Sequence, residues 1–279
     1  MVIKMVKREM GAKVFAVALL TVLSLITAVP FVWMIVTAFK TEMETMRIPM
    51  QFFPESLQWE NFVAIFRQFN FWTYYQNSIK VAVGITVPQV LVSSLAAYAF
   101  ARLEFPGKNI IFVSLMMALM VPMQLILVPR FVLMMQFEWI DSLIAVIVPG
   151  IPSIFATFFI RQHIMTIPKE LDEAAYIEGC SHPGIFWHII LPLCKPTLAA
   201  MATLALVFSW NTLLWPLTVL SSMSNFTLPI GIANFRGQVT VTFNLLMTGA
   251  TVSVLPILVV FLIGQRYFIE GISTSGLKA

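Results

Sequence analysis

Six long apolar stretches, almost free of charge, constrain the fold of this chain more than any other feature. A bilayer core of about 30 Å needs roughly 20 apolar residues in a helix. The six stretches are Val14–Phe39, Ser78–Ala101, Asn109–Val128, Ser142–Ile160, Leu198–Leu220 and Asn244–Ile263. Their lengths predict six transmembrane helices, and the fold class is therefore an all-α polytopic membrane helix bundle.

The composition supports a membrane protein and excludes several other classes. Hydrophobic residues make up 59% of the 279-residue chain and charged residues 11%, whereas soluble domains have about 45–50% and roughly 25%. A membrane β-barrel would alternate apolar and polar residues, which these stretches do not. The two cysteines, Cys180 and Cys194, form neither a disulfide framework nor a metal-ligand motif. A soluble globule, a disordered chain and a disulfide scaffold are thus excluded.

The distribution of positive charge predicts the orientation of the spans. With the N-terminus in the cytoplasm, most of the 17 lysines and arginines lie on the inner side, which favours both termini inside. The predicted parts are a cytoplasmic segment 1–13, a membrane domain 14–263 and a cytoplasmic tail 264–279.

The first span follows several basic residues, as the core of a signal peptide does. Its apolar run exceeds the about 7–15 residues of a signal core, so we interpret it as a retained helix.

No motif for nucleotide, metal or covalent chemistry occurs in the sequence. Neither G-x-x-x-x-G-K-[ST] nor G-x-G-x-x-G is present, so no ATP site is predicted in this chain. The histidines His163, His182 and His188 do not form a metal-ligand pattern, and no G-x-S-x-G occurs. We therefore predict a chain that is not an enzyme and holds neither a metal nor a cofactor.

The polar side chains inside the predicted spans are neutral apart from Lys80 at the entry of the second, which bears on what a path through the spans could carry. Ion-coupled carriers usually hold ionisable residues in the membrane, and the span interiors otherwise have none. The neutral polar residues in or at the entrance of the spans include Asn77, Ser78, Gln89, Ser93, Ser94, Gln124, Ser209, Asn211, Thr212 and Thr251. Two interpretations stay open: a path for a hydroxyl-rich solute, or hydrogen bonds between helices. An anionic solute would prefer a cationic cavity, and the spans show no such charge.

The longest predicted inner segment, 161–197, has the pattern of two short helices joined by a turn. Pro168 and the acids after it favour a helix start, because proline suits the first turn and acids suit the positive end of the dipole. Gly179 is predicted to end that helix. Ser181 is the predicted N-cap of a second helix, Gly184–Leu191.

The alanines of the first helix and the proline after the second complete this prediction. Ala174 and Ala175 give the first helix a flat surface, and Pro192 is predicted to stop the second helix. Two interpretations of the helix pair stay open. The flat surface enters a groove on another protein, or the pair packs beneath the bundle.

The same segment resembles the EAA loop of ABC-importer permeases. The match is Glu173-Ala174-Ala175-x3-Gly179-x9-Ile189-x-Leu191-Pro192, with every spaced position present. Further stretches resemble the carbohydrate-uptake branch of that family, which includes maltose-type and glycerol-phosphate-type permeases. They are Asn77–Ala82, Ala97–Lys108, Trp210–Leu217 and Gln265–Gly271. With the six spans, the resemblance covers nearly the whole chain.

The resemblance implies a permease subunit of a binding-protein-dependent importer in a prokaryotic inner (plasma) membrane. It implies as partners a second permease subunit, two cytoplasmic ATPase subunits that hold ATP and Mg, an extracytoplasmic solute-binding protein and membrane lipid, but no nucleic acid. It implies alternating access for a sugar or oligosaccharide. The alternatives are a glycerol-3-phosphate importer, a standalone carrier or channel, and a structural scaffold.

The resemblance also implies roles for particular residues. Coupling to the ATPase is carried over to Glu173, Ala174, Ala175, Gly179, Ile189, Leu191 and Pro192. In that assignment Glu173 frames a cleft on the ATPase, and the two alanines form the close-packed surface. Gln124, Trp210 and Asn211 are the candidate path residues, with Trp210 either stacking on a sugar face or packing in the bundle. Candidate residues of a loop that faces the binding protein are Asn234, Arg236 and Gln238.

Overall fold

The computed structural model describes residues 2–235 and 242–276, with the side chains of residue 10 and of 13–67, 69–235 and 242–265. Throughout these described residues the regular structure is helical, and no strand occurs. The chain divides into two compact units, Met1–Phe69 with Asn234–Ser253 and Asn70–Ala233 with Val254–Ala279.

The first unit contains one long apolar helix, and hydrogen bonds from a shorter helix hold the chain at its end. Its helices are α1 (Val2–Ala38), α2 (Glu42–Met46), α3 (Glu60–Gln68) and the first part of α15 (Phe243–Gly276). The apolar length of α1 is exposed, as is typical of a helix that faces lipid or another subunit. Asn61 Nδ2 donates to the carbonyls of Ala38 and Lys40 at 2.9 Å, which joins α3 to the end of α1.

The second unit is organised around one 32-residue helix, α4 (Phe71–Arg102). It also contains α5 (Lys108–Ala118), α6 (Leu127–Gln136), α7 (Leu143–Ile147), α8 (Ile154–Thr166), α9 (Glu170–Ile177), α10 (His182–Ile185), α11 (Leu191–Leu193), α12 (Lys195–Asn211), α13 (Leu214–Val219), most of α14 (Leu228–Phe235) and the rest of α15. Short 3-10 turns lie at Met123–Ile126, Val148–Gly150 and Met223–Asn225, and a π-helix at Phe186–Ile190. The helices α8 and α12 pack along α4.

Four helical segments of the described chain are long and apolar enough to cross a membrane. They are Lys13–Ala38, Phe71–Arg102, Leu143–Thr166 and Phe243–Gln265. They overlap the first, second, fourth and sixth predicted spans. Two further segments are long and apolar enough to cross a membrane only if two bent helices are taken together. They are Lys108–Ala118 with Met123–Gln136, bent by 97°, and His182–Leu193 with Lys195–Asn211, bent by 78°. The described residues therefore contain four to six spans.

The third and fifth predicted spans are wrong as single helices. In the stretch Asn109–Val128, α5 ends at Ala118, and Pro122 precedes a 3-10 turn before α6. In the stretch Leu198–Leu220, α12 ends at Asn211 and α13 starts anew. Proline lacks a backbone donor, but neighbouring groups in a bundle can compensate for it. Three other prolines lie inside unbroken helices: Pro30, Pro88 and Pro256.

Candidate coupling site and solute cavity

The first helix of the inner segment, α9, begins and ends where the sequence predicts. Its first turn holds three acids, including Glu173, near the positive end of the helix dipole. Gly179 follows with φ of 88°, a left-handed conformation that costs glycine little. The next amide, of Cys180, donates to Ala175 O at 2.9 Å and closes the turn. The predicted glycine turn is confirmed.

The second helix of the segment differs from its prediction at both ends. The Ser181 side chain makes no cap hydrogen bond; its carbonyl accepts from the amide of Ile185 at 2.9 Å instead. Helical structure runs from His182 to Leu193 through the π-helix, and Pro192 lies in the first turn of α11 rather than stopping the helix.

One face of this segment belongs to the same buried core as the membrane helices. The core consists of Ala97, Tyr98, Ala156, Ile160, Ile164, Ile167, Ala175, Ile185, Phe186, Ile190, Cys194 and Met201. These residues come from α4, α8, α9, α10, the π-helix and α12. We call them the coupling core. The segment is therefore packed against the bundle rather than suspended below it.

The two alanines of α9 do not form one exposed surface, which corrects the prediction. Ala174 is exposed, but Ala175 is buried in the coupling core. Consecutive residues of an α-helix point about 100° apart, so neighbouring alanines cannot both face a partner when one faces the core. The surface predicted for Ala174 and Ala175 is thus reduced to Ala174.

The segment also exposes several large apolar side chains. Among its large apolar residues, Ile177 is 86% exposed, Tyr176 62% and Trp187 49%. We call this surface the coupling face. Of the other residues assigned to coupling, Glu173, Gly179 and Pro192 are exposed and Ile189 and Leu191 half-buried. An exposed apolar patch of this kind is typical of a protein–protein contact.

A buried ion pair joins the end of α4 to α9. Arg102 Nε lies 2.6 Å from Asp172 Oδ2, and the two side chains are 5% and 17% exposed. An Arg102 terminal nitrogen also donates to Ile167 O at 2.8 Å, just before α9. Burial raises the pKa of Asp172, although the Arg102 charge opposes that shift. The sequence did not indicate this pair, because its partners lie 70 positions apart.

A cavity of about 640 Å³ lies within the second unit, among α4, α6, α8, α12 and α13. Most of its lining is apolar. The polar and aromatic lining residues include Gln89, Arg130, Ser153, Ser209, Thr212 and Trp215. Small-molecule sites typically combine an apolar wall with a few polar groups, and this cavity has that character.

None of the three predicted path residues lines this cavity. Trp210 is buried and packs edge-on against Tyr75, with ring centroids 5.7 Å apart. Asn211 donates to Val207 O of its own helix at 2.7 Å, and Gln124 is exposed. Bundle packing is thus the interpretation of Trp210 that the structure supports. Three other neutral polar residues noted in the sequence do line the cavity: Gln89, Ser209 and Thr212.

The cavity also contains a positive charge, which the sequence-based assignment of spans missed. Arg130 lines it, with its guanidinium carbon 4.2 Å from the ring centroid of Trp215. Trp215 is held in turn by a hydrogen bond from Nε1 to Ala145 O at 3.0 Å. The expectation of a cavity without a cation is therefore wrong. The signal in the sequence was Pro122, which lies beside a bend of 97°, and α6 after that bend carries Arg130 at the cavity.

The N-terminal part of α4, opposite the Arg102 end, is held by neutral hydrogen bonds to the chain that leads into α14. Asn77 Nδ2 donates to Ser224 O at 2.8 Å and to Phe226 O at 3.1 Å. Ser78 Oγ accepts from the amide of Leu228 at 2.8 Å. These polar groups satisfy backbone groups of a segment without regular partners of its own.

Asp141, between α6 and α7, holds the same segment. Its carboxylate accepts from the amides of Ser221 and Ser222 at 2.9 Å, and from the Ser222 hydroxyl. The Ser222 hydroxyl and amide bonds lower the pKa of Asp141 to about 2. We call Asn77, Ser78 and Asp141, with their backbone partners, the polar cluster.

The remaining predicted site is the loop assigned to the binding protein. Asn234 is exposed near the end of α14. Arg236 and Gln238 lie outside the described residues. Within the part of the chain that the structure describes, no three His, Cys, Asp or Glu residues are grouped so as to hold a metal.

Comparison with known proteins gives a consistent result. A family model described as binding-protein-dependent transport system inner membrane component matches residues 89–274. The arabinooligosaccharides transport system permease protein AraQ of Halalkalibacterium halodurans is 39% identical over 92% of this chain and 93% of its own length. The sn-glycerol-3-phosphate transport system permease protein UgpE of Pectobacterium atrosepticum is 32% identical over 97% and 99%.

One solved structure has the same fold. It is the crystal structure of a bacterial ABC transporter involved in the import of the acidic polysaccharide alginate, with a TM-score of 0.82. The match covers 91% of this chain and 95% of the other, at 19% sequence identity. At that identity the match bears on the fold alone, and it confirms the predicted all-α membrane fold.

Proposed function

Since the chain belongs to the family of binding-protein-dependent transport system inner membrane components, the permeases of ABC importers, we propose that it forms part of the path for a sugar or oligosaccharide. The names of its relatives support this solute class, with a polyol phosphate such as glycerol 3-phosphate as the alternative. The cavity supports it too, because Gln89, Ser209 and Thr212 supply groups that hydrogen-bond hydroxyls.

The observation that carries the proposal is the two-sided character of the inner segment. One side lies in the coupling core with α4, α8 and α12, and the other side, the coupling face, exposes Tyr176, Ile177 and Trp187. A partner that binds the coupling face therefore acts on the membrane helices through packed side chains. Packed protein interiors are poorly compressible, so such contacts transmit displacement.

The partner that we propose for the coupling face is a cytoplasmic ATPase subunit. ATP and Mg are held by two such subunits and not by this chain, whose sequence has no phosphate-binding loop. A second permease subunit completes the path, and a solute-binding protein docks on the outer side near Asn234. ATP-driven closure of the ATPase pair then shifts the helices from inward-open to outward-open.

This arrangement fixes the proposed topology. Residues 1–13 and 264–279 are cytoplasmic, residues 14–263 form the membrane domain, and the coupling face is cytoplasmic. The polar cluster is then on the outer side, at the opposite end of α4. The excess of lysine and arginine on the proposed inner side supports this orientation.

Site-directed cross-linking tests the partner of the coupling face. Cys180 is exposed, so Cys180→Ser gives a background in which the remaining Cys194 is buried. In that background Ile177→Cys should cross-link to the ATPase subunit in membranes. Phe137→Cys, 55% exposed beyond α6, is the matched control and should not. Failure of Ile177→Cys to capture the ATPase would contradict the proposal.

The same two variants test the orientation. A membrane-impermeant maleimide added to intact spheroplasts should label Phe137→Cys and spare Ile177→Cys, and inverted vesicles should give the opposite pattern.

Uptake by the reconstituted complex should depend on both ATP and the binding protein. Uptake by this chain alone without ATP would instead indicate a standalone carrier.

A further inference from the structure

The cavity of the second unit contains a cation for which the chain supplies no counter-charge. Arg130 is the charged residue of its lining, and no Asp or Glu lines the cavity among the described residues. None of the ion pairs or hydrogen bonds found within the described chain involves Arg130. Its Nε atom is buried and has no hydrogen-bond partner.

The guanidinium is nevertheless held in position. It stacks on the Trp215 ring, whose indole nitrogen is fixed by its bond to Ala145 O. Stacking orders the guanidinium plane but leaves the N–H groups at its edge free to donate. Those groups form a planar fork that matches a carboxylate or a phosphate in two parallel hydrogen bonds.

The neighbouring groups suit the rest of such a solute. Gln89 can donate to and accept from hydroxyls, while the Ser209 and Thr212 hydroxyls donate to Leu206 O and Phe208 O and can still accept. The volume of about 640 Å³ is that of a site for a small molecule. Arg130 is half-buried, and partial removal of an unpaired charge from water has a cost. An anionic group on the solute would remove that cost.

We propose that Arg130 is a specificity-determining residue of the path, and that the cavity selects a sugar or polyol carrying a carboxylate or phosphate over its neutral counterpart. This inference rests on the proposed function and narrows its solute class. It assigns the anion contact to this chain, with Trp215 as the residue that positions the guanidinium.

Equilibrium binding to the assembled complex tests the inference. The complex of both permease subunits and the ATPases is placed in nanodiscs without the binding protein, so that only the selectivity of the path is measured. Radiolabelled digalacturonate is compared with neutral galactobiose, and glycerol 3-phosphate with glycerol. We expect at least one acid to bind about tenfold more tightly than its neutral counterpart, since a charge-assisted hydrogen bond contributes that much.

Variants of Arg130 separate the anion contact from general packing. Arg130→Gln should lower binding of the acid about tenfold more than it lowers binding of the neutral probe, with Arg130→Lys intermediate because it keeps the charge without the fork. Arg47→Gln, at an exposed arginine of the first unit, is the matched control and should change neither. Co-purification with the ATPase checks that each variant is assembled.

The outcomes distinguish the inference from the proposed function. Equal binding of acid and neutral probes, or an Arg130→Gln effect of the same size on both, would overturn the inference while leaving a neutral-sugar importer intact. Absence of ATP-dependent, binding-protein-dependent uptake for every solute would overturn the proposed function instead.

Discussion

The two ends of α4 are held by different kinds of interaction. At the Arg102 end, a buried ion pair and the coupling core bind α9. At the Asn77 end, neutral hydrogen bonds hold backbone groups of the segment before α14. Neutral hydrogen bonds each contribute about 1 kcal/mol, whereas leaving one charge of a buried pair unpartnered costs several. The Arg102 end is therefore the more sensitive of the two, and it is the end that we propose faces the ATPase.

Breaking the ion pair should have the largest effect. Arg102→Met or Asp172→Leu leaves a buried charge alone, so each should lower the free energy of unfolding by about 3–5 kcal/mol. The double variant should recover part of that loss, because it buries no charge. Unfolding of the purified subunit in an SDS titration measures these values, and solute-stimulated ATP hydrolysis reports the coupling.

The exposed pair of the first unit is the control. Arg47 and Glu55 lie 2.6 Å apart but are 53% and 63% exposed, so Arg47→Met should change the free energy of unfolding by less than about 1 kcal/mol. Equal effects of Arg47→Met and Arg102→Met would remove the contrast between buried and exposed pairs.

Removing the amide at the other end of α4 should cost less. Asn77→Leu leaves two carbonyls without their donor and should lower the free energy of unfolding by about 1–3 kcal/mol, while coupling is retained. Asn211→Leu is the matched control, because that exposed amide bonds only within its own helix. A loss of coupling in Asn77→Leu with normal stability would reverse our ranking of the two ends.

The turn after α9 should show a smaller, purely conformational effect. A Cβ at Gly179 would meet no atom within 4 Å, but φ of 88° costs an L-residue roughly 1–2 kcal/mol. Gly179→Ala should therefore destabilise the subunit by about that amount, and Gly179→Asn by less. Gly184→Ala, in a helical position, should be neutral or slightly stabilising. Identical thermal midpoints for the two alanine variants would exclude strain at the turn.

The smallest effect should appear at Asp141 and depend on pH. Because folding lowers the pKa of Asp141 to about 2 from 3.8, its ionised form stabilises the fold above about pH 4. That contribution is lost as the pH falls through about 2. Asp141→Asn should lower the thermal midpoint slightly at pH 7, and the difference from wild type should shrink as the pH falls below 4. A constant difference at every pH would contradict this account.

Hydropathy predicted the spans well where the apolar segment has no sharp bend. The first, second, fourth and sixth predicted spans correspond to long apolar segments. The hydropathy-based prediction failed at the third and fifth spans. Every predicted span contains a proline, but only some of these prolines lie at a break in the helix. Pro88 lies in an unbroken helix and Pro122 beside a 97° bend. Whether the neighbouring helices satisfy the freed carbonyls decides the outcome, and local sequence does not contain that information.

The site was predictable where local geometry determines it. The left-handed turn after α9 favours a glycine, so a glycine placed just after the predicted helix could be assigned to that turn from the sequence. Burial of Ala175 and the position of Arg130 depend on which helices pack nearby, and no local pattern fixes either. Arg130 lies just beyond the third apolar stretch, which ends at Val128, so hydropathy places it outside the spans. The Arg102–Asp172 pair needed the folded chain for the same reason.

Shared burial of α9 with α4 and α8 has a mechanical consequence. No slack linker separates α9 from the membrane helices in the coupling core, since Ala175 and Ile160 belong to one close-packed cluster. A close-packed contact of this kind is poorly compressible. A displacement of α9 should therefore reach α4 and α8 almost undiminished. In the proposed mechanism, the size of the movement in the ATPase subunits would then set how far the membrane helices move.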